Sequence, residues 1–149
     1  MINTNNLDEA RKQIQKLKKE GDEIIVLAQD DNFNRKIFEN KDVDLVVGLE
    51  FNKKDYLKQR NSGLNEITAR LAKKNNIKIL VDIEKISKLD RIEKSRVLAR
   101  VRQNIELCKR VGCKIIILGN ASKQDVASFF LCLRGSTKQG KDGFYKNKN

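Results

Sequence analysis

The chain has 149 residues, with 32 lysines and arginines against 20 aspartates and glutamates, and its formal net charge is +12. This length suits one domain with a modest core, and no apolar run approaches the about 20 residues that a membrane helix requires. The chain contains no histidine, which excludes the commonest metal ligand and the commonest general base.

Helical and strand patterns alternate along the chain. Apolar residues at helical spacing, with capping residues at the ends, predict helices over residues 7–20, 33–38, 62–75, 90–111 and 122–133. Short apolar runs predict buried strands over residues 23–28, 43–47, 77–83 and 113–118. This order predicts a parallel sheet covered by helices. We expect a single α/β domain over residues 1–134 and a basic, flexible tail over residues 135–149, with Phe144 and Tyr145 as a possible anchor.

The third predicted helix and the loop before it form a basic region. Ser62 is a suitable N-cap, and Glu66 lies in the first turn, where the helix dipole favours a carboxylate. Leu64, Ile67 and Leu71 recur at helical spacing, so their face is expected to pack inward. The opposite face and the preceding loop carry the cations Lys53, Lys54, Lys58, Arg60, Arg70, Lys73 and Lys74. A basic loop beside a basic helix face is typical of a polyanion site.

The fourth predicted helix, residues 90–111, offers a second basic face. Its predicted buried stripe consists of Val97, Leu98, Val101, Ile105 and Cys108. At 100° per residue, Arg96, Arg100 and Arg110 fall roughly opposite that stripe, and Arg102 flanks it. Guanidinium groups match phosphate oxygens and stack on exposed bases. The alternative interpretation is an ordinary solvated face, which the scarcity of acidic residues along this helix makes weaker.

Charge is divided unevenly along the chain. Residues 1–52 carry 8 basic and 11 acidic side chains, whereas residues 53–149 carry 24 basic and 9 acidic ones. The later elements are therefore expected to form a basic surface.

Cys108, Cys113 and Cys132 are an odd number without a paired motif, and we expect reduced, intracellular thiols at apolar positions. The N-terminus is Asn-rich and lacks the apolar core of a signal peptide, so none is expected.

Several segments together resemble a known protein family. Arg-x-Ser-Gly-Leu-Asn at residues 60–65 precedes a helix with Ala-Arg-Leu-Ala-Lys-Lys-Asn at residues 69–75. Downstream stand Asn-Ile-Glu-Leu-Cys-Lys-Arg-Val-Gly at residues 104–112 and Gly-Asn-Ala-Ser at residues 119–122. Over residues 43–133 the chain resembles the thirty-kilodalton protein subunit of archaeal and eukaryotic ribonuclease P, the component 3 family.

The resemblance implies a TIM-type (β/α) barrel. Such a barrel usually needs eight strands and about 250 residues. We therefore expect a reduced or incomplete barrel, with an open doubly wound parallel sheet as the alternative.

The resemblance also implies a function. The chain would be an RNA-binding subunit that assists a catalytic RNA in removing the 5′ leader from precursor tRNA. Its partners would be ribonuclease P RNA, precursor tRNA and another small ribonuclease P protein, in a cytoplasmic setting. Mg²⁺ would be bound by the RNA, with no cofactor or metal on the protein and no membrane. The expected RNA-binding residues are Lys53, Lys54, Lys58, Arg60, Arg70, Lys73, Lys74, Arg96, Arg100, Arg102 and Arg110.

Two other functions stay open. The first is a metal-dependent phosphoesterase that uses carboxylates alone, drawn from Asp30, Asp31, Asp42, Asp44, Glu50, Asp82 and Glu84. Asp82 and Glu84 favour it most, because they lie near the carboxyl end of a strand, where barrel enzymes place their chemistry. The second is an interaction module that binds no RNA, which the basic excess disfavours.

The chain departs from the family pattern at three places. Glu66 stands where the family often has histidine, and Glu84 with Lys85 replaces a frequent Arg-Pro. A longer family stretch is reduced to Asp-Val-Ala-Ser at residues 125–128, which includes Ala127. Any contact made by the missing groups is lost or replaced here.

Overall fold

A computed structural model describes residues 1–51 and 53–145. Within them, one parallel sheet has its strands in the order β1-β2-β3-β4. The strands are β1 (Ile25–Leu27), β2 (Leu45–Val47), β3 (Lys78–Asp82) and β4 (Ile115–Leu118). The helices are α1 (Leu7–Glu20), α2 (Asp31–Glu39), α3 (Glu66–Lys74), α4 (Ile83–Ser87), α5 (Arg91–Val111), α6 (Lys123–Cys132) and α7 (Thr137–Asp142). The predicted elements are confirmed, and two short helices, α4 and α7, are additional.

Helix ends follow local capping chemistry. The Asn6 side chain accepts backbone N–H groups at the start of α1, and Gly21 ends that helix in the left-handed region. Asp90 caps α5 in the same way, and Gly112 ends it. Ser122 and Asp125 form the capping box of α6. These signals are local, so the sequence places these boundaries within a residue or two.

Strand order decides the type of sheet. A doubly wound sheet reverses its strand order at a switch point, whereas here each strand pairs with the next one along the chain. With right-handed crossovers, consecutive order places the helices on one face. The other face carries an apolar cluster of strand residues, Leu45, Val47, Leu80 and Ile116, with no helix residue among its buried members. This arrangement is an incomplete (β/α) barrel, as predicted, and excludes the doubly wound alternative.

Both sheet edges are partly covered by the chain ends. Ile2 bridges to Val26 of β1, and Phe144 bridges to Ile117 of β4, both in parallel orientation. The Tyr145 hydroxyl donates a hydrogen bond to Glu23, which precedes β1. Tyr145 also packs on the apolar cluster of the inner face. The two edges of the sheet therefore approach each other, so the sheet is strongly curled.

The C-terminal segment differs from the expected flexible tail. Residues 137–142 form α7, whose capping box joins Ser136 and Gln139. The Gln139 side chain also donates a hydrogen bond to the carbonyl of Ile105, 3.0 Å away. This helix was missed because a short Gly- and Lys-rich stretch has little helical signal without its tertiary contacts. The last four residues, 146–149, lie outside the described part of the chain.

The cysteines only partly follow the sequence expectation. Cys108 and Cys113 are buried, but Cys132 is exposed, so its predicted apolar position is wrong. Among the described residues, we find no helix with the length and apolar character needed to cross a membrane.

Candidate nucleic-acid interface

The loop between β2 and α3 lies over the long helix α5. Its outer part, residues 53–61, forms a hairpin closed by two backbone hydrogen bonds between Tyr56 and Gln59, of 2.8 and 3.3 Å. We call residues 53–61 the finger loop. Within it, Asp55 accepts the backbone N–H of Asn61, which fixes the two arms of the hairpin to each other. The pKa of Asp55 is lowered by this N–H and, to a smaller extent, by Arg100. The loop therefore has its own local structure.

Arg100 of α5 attaches the finger loop to that helix. The side chain is 5% exposed, and its guanidinium donates to the Lys53 carbonyl at 2.9 Å and to the Asp55 carboxylate at 3.4 Å. The predicted solvent-facing position of Arg100 is wrong. The buried stripe of α5 is wider than its apolar residues indicate, because it includes the polar Asn104, whose side chain donates to the Ser62 carbonyl. Leu98, which was expected to belong to the buried stripe, is only partly buried.

Lys53 also serves as an anchor and is not a free cation. Its ammonium nitrogen lies 3.1 Å from the Gln29 carbonyl and 3.1 Å from the Asp31 carboxylate, and the side chain is 9% exposed. Gln103 of α5 adds a third attachment by donating to the Arg60 carbonyl. The finger loop is thus attached to the loop after β1 and to α5.

The Ser-Gly-Leu-Asn segment makes a tight turn before α3. Ser62 is buried and its hydroxyl donates to the Leu64 carbonyl, so its predicted role as the N-cap of the helix is wrong. The cap is Asn65, which forms a capping box with Thr68. Gly63 has φ +79°, and a Cβ there would lie 2.1 Å from the Leu49 carbonyl oxygen. Only glycine allows this close approach of two backbone segments.

Glu66 joins α3 to α5 electrostatically. Its carboxylate lies 2.7 Å from Arg70 and 3.8 Å from Arg110. The pKa of Glu66 is lowered mainly by the hydrogen bond from Arg70. Glu66 and Arg110 border a cavity of about 500 Å³ between the finger loop, α3 and α5, which Arg60 and Tyr56 also line. The arrangement brings Arg60, Arg70 and Arg110 to one surface.

The remaining predicted cations fall into two groups. Arg96 and Arg102 lie on α5 in exposed pairs with Glu93 and Glu106, and such pairs are weak enough to exchange for phosphate contacts. Lys73 donates to the Val111 carbonyl at the end of α5. Among the predicted RNA-binding cations, those that form no ion pair with a described carboxylate are Lys54, Lys58, Arg60, Lys73 and Lys74.

The candidate metal carboxylates have structural roles instead. Asp30 and Asp82 cap α2 and α4. Asp44 and Glu84 accept the backbone N–H groups of Ile24 and Asn120, respectively. Asp42 and Asp31 form ion pairs with Lys18 and Lys53, respectively. No group of three potential ligands comes together within the described ranges. The carboxylate-only phosphoesterase is not favoured by this arrangement.

Glu50 is the exception, and its burial was not foreseen from the sequence. It is 0% exposed, and both carboxylate oxygens lack a hydrogen-bond partner among the described residues. Burial raises the pKa of Glu50 to about 7, and the nearby charges are those of Lys85 and Asp82. An acidic residue after a strand ordinarily indicates exposure, so the sequence carried no signal for this position.

Comparison with known proteins gives the same family that the motifs indicated. The chain is 30% identical over 121 residues to "Ribonuclease P protein component 3" of Methanococcus maripaludis, covering 81% of this chain and 50% of the relative. The protein of the same name from Methanocaldococcus jannaschii is 25% identical over 123 residues, covering 83% of this chain and 50% of that relative. The similarity to ribonuclease P protein component 3 is confirmed.

The fold comparison agrees with this result. A chain in a "cryo-EM structure of archaeal Ribonuclease P with mature tRNA" superposes with a TM-score of 0.79, at 23% identity, over 93% of this chain and 60% of that chain. No family model matches the sequence. The chain spans about half the length of the curated component 3 proteins that it matches. The shared fold therefore corresponds to part of a longer chain.

Proposed function

We propose that this chain is an RNA-binding protein subunit of ribonuclease P, which assists the RNA in removing the 5′ leader from precursor tRNA. The strongest support for this proposal is the similarity to component 3 proteins over 121 residues. An aligned span of that length is long enough to include the finger loop, α3 and α5. Those elements carry the basic side chains. Binding would neutralise phosphates and favour the active RNA fold.

The proposal extends to partners and location. Ribonuclease P RNA and precursor tRNA would contact the basic surface, and a second small protein subunit would dock elsewhere on the chain. Mg²⁺ would be bound by the RNA, and the complex would be cytoplasmic. The test is co-purification from the source cell with sequencing of the bound RNA. Recovery of ribonuclease P RNA supports the proposal, and recovery of no RNA contradicts it.

The protein without RNA should not cleave precursor tRNA. Acid–base cleavage needs a positioned nucleophile and base or a metal cluster, and the chain has no histidine for either. The measurement incubates labelled precursor tRNA and Mg²⁺ with the RNA-free protein, and separately with the reconstituted complex. Cleavage only by the complex is expected. Robust cleavage by the RNA-free protein would contradict the assisting role.

RNA affinity should fall steeply with salt. If about five to eight phosphates are neutralised, log K against log salt should have a slope on the order of −4 to −7. Lys58→Ala and Lys74→Ala should each reduce that slope by roughly 1, because each removes one exposed cation. Lys12→Ala, on the outer face of α1, serves as a matched control and should leave the slope unchanged. A slope near zero would mean that the basic surface is not the binding surface.

A further inference from the structure

The finger loop presents apolar groups to solvent at its tip. Tyr56 is 60% exposed and Leu57 is 100% exposed. Of the two, tyrosine is the residue type enriched at binding interfaces, because its ring is apolar and its hydroxyl is polar. Lys54, Lys58 and Arg60 flank the pair within the same hairpin, and Asp55, the only carboxylate of the finger loop, already accepts from Arg100.

The tip is held in place before any partner binds. Arg100, Lys53 and Gln103 attach the base of the finger loop to two other parts of the fold, through the contacts described above. The Tyr56–Gln59 backbone hydrogen bonds then fix the turn that carries Leu57 and Lys58. A side chain on such a loop loses little conformational freedom when it binds.

We infer that Tyr56 stacks on an unpaired base of the bound RNA, with Arg100 as the positioning residue of the finger loop. An aromatic ring surrounded by cations matches a single-stranded nucleic acid, in which each base offers a π-face beside a phosphate. Tyr56 lines two cavities, of about 500 and 660 Å³, which leave space for a base beside the side chain. This inference rests on the proposed function.

The test uses the full chain with two probes, a single-stranded oligoadenylate and an RNA duplex with the same number of phosphates. Tyr56→Leu retains apolar bulk but removes the ring, and it should weaken binding of the single strand by about 5- to 100-fold, as expected for loss of one stacked base. Duplex affinity should change less than about two-fold. Tyr56→Phe should bind as the unchanged chain does, and Leu57→Ala should have little effect on either probe.

A spectroscopic measurement is also possible, because the chain contains no tryptophan and only two tyrosines, Tyr56 and Tyr145. In a Tyr145→Phe variant all tyrosine fluorescence comes from Tyr56, and stacking should quench it when the single strand binds. In Tyr56→Phe the remaining signal, from Tyr145 on the inner face, should not change. Arg100→Met should fold, retain part of the affinity and lose most of the quenching, because the ring is no longer held in position.

The outcomes separate the two proposals. If Tyr56→Leu binds the single strand normally while the Lys58 and Lys74 variants still reduce the salt slope, the stacking role is wrong and the RNA-binding function stands. If neither probe binds the unchanged chain, the proposed function fails. If Tyr56→Leu and Leu57→Ala leave both RNA affinities unchanged but abolish binding of another ribonuclease P protein, the tip is a protein-docking surface and the inference is overturned.

Discussion

Gly63→Ala is expected to destabilise the protein and displace the finger loop. The left-handed backbone alone costs about 1–2 kcal/mol for a residue with a Cβ. The added Cβ would also lie 2.1 Å from the Leu49 carbonyl oxygen and 3.0 Å from the Lys53 side chain. Because the first of these contacts is with backbone, the turn must move. Urea denaturation should show a loss of unfolding free energy clearly above that backbone cost.

Gly21→Ala provides the matched control. Gly21 has φ +76°, close to the +79° of Gly63, but nothing lies within 4 Å of its added Cβ. Gly21→Ala should therefore lower the free energy of unfolding only by the backbone cost and leave RNA affinity unchanged. Gly63→Ala should also weaken RNA binding. Equal destabilisation by the two variants would mean that the close approach at Leu49 has no energetic importance.

Glu50→Gln should change how stability depends on pH. Burial raises the pKa of Glu50 from 4.5 to about 7 in the folded chain, so the folded state binds this proton more tightly than the unfolded state does. The resulting stabilisation is fully present below pH 4.5 and is lost as the pH rises through 7. A shift of this size corresponds to about 3 kcal/mol. Glutamine cannot ionise and should remove that loss.

The measurement compares urea denaturation of the two proteins between pH 4.5 and pH 8. The unchanged chain should lose about 3 kcal/mol relative to Glu50→Gln across this range. Glu50→Ala separates charge from packing, because it cannot ionise but opens a cavity, so it should be less stable than Glu50→Gln at every pH. If the unchanged chain and Glu50→Gln differ by the same amount at both ends of the range, the carboxyl does not titrate as its burial indicates.

The sequence predicts most of the fold because its signals are local. Helices with strong caps, such as α1 between Asn6 and Gly21, are recognisable from a few neighbouring residues. Strand order and curvature are not local properties. They came from the family resemblance, which implied a barrel, and the inner apolar cluster with Tyr145 could be identified only in three dimensions.

The basic surface was predicted less completely, for a physical reason. A helical wheel treats arginine as a solvated residue, but Arg100 is buried because carbonyl groups of a distant loop replace its water. The Lys53 ammonium is held in the same way, because the Gln29 carbonyl and the Asp31 carboxylate accept its hydrogen bonds. Residue type and spacing indicate where charge is concentrated. They do not distinguish a cation that contacts a ligand from one that holds the loop presenting it.

The consecutive order of the strands has a consequence for how the chain folds. Each strand pairs with its immediate successor, so the sheet can grow one βα unit at a time, and each step joins residues only 20 to 36 positions apart. The hydrogen bond between Tyr145 and Glu23 is different, because it joins residues 122 positions apart. We expect it to form last, after all four strands are in place, so that curling of the sheet is the final event of folding.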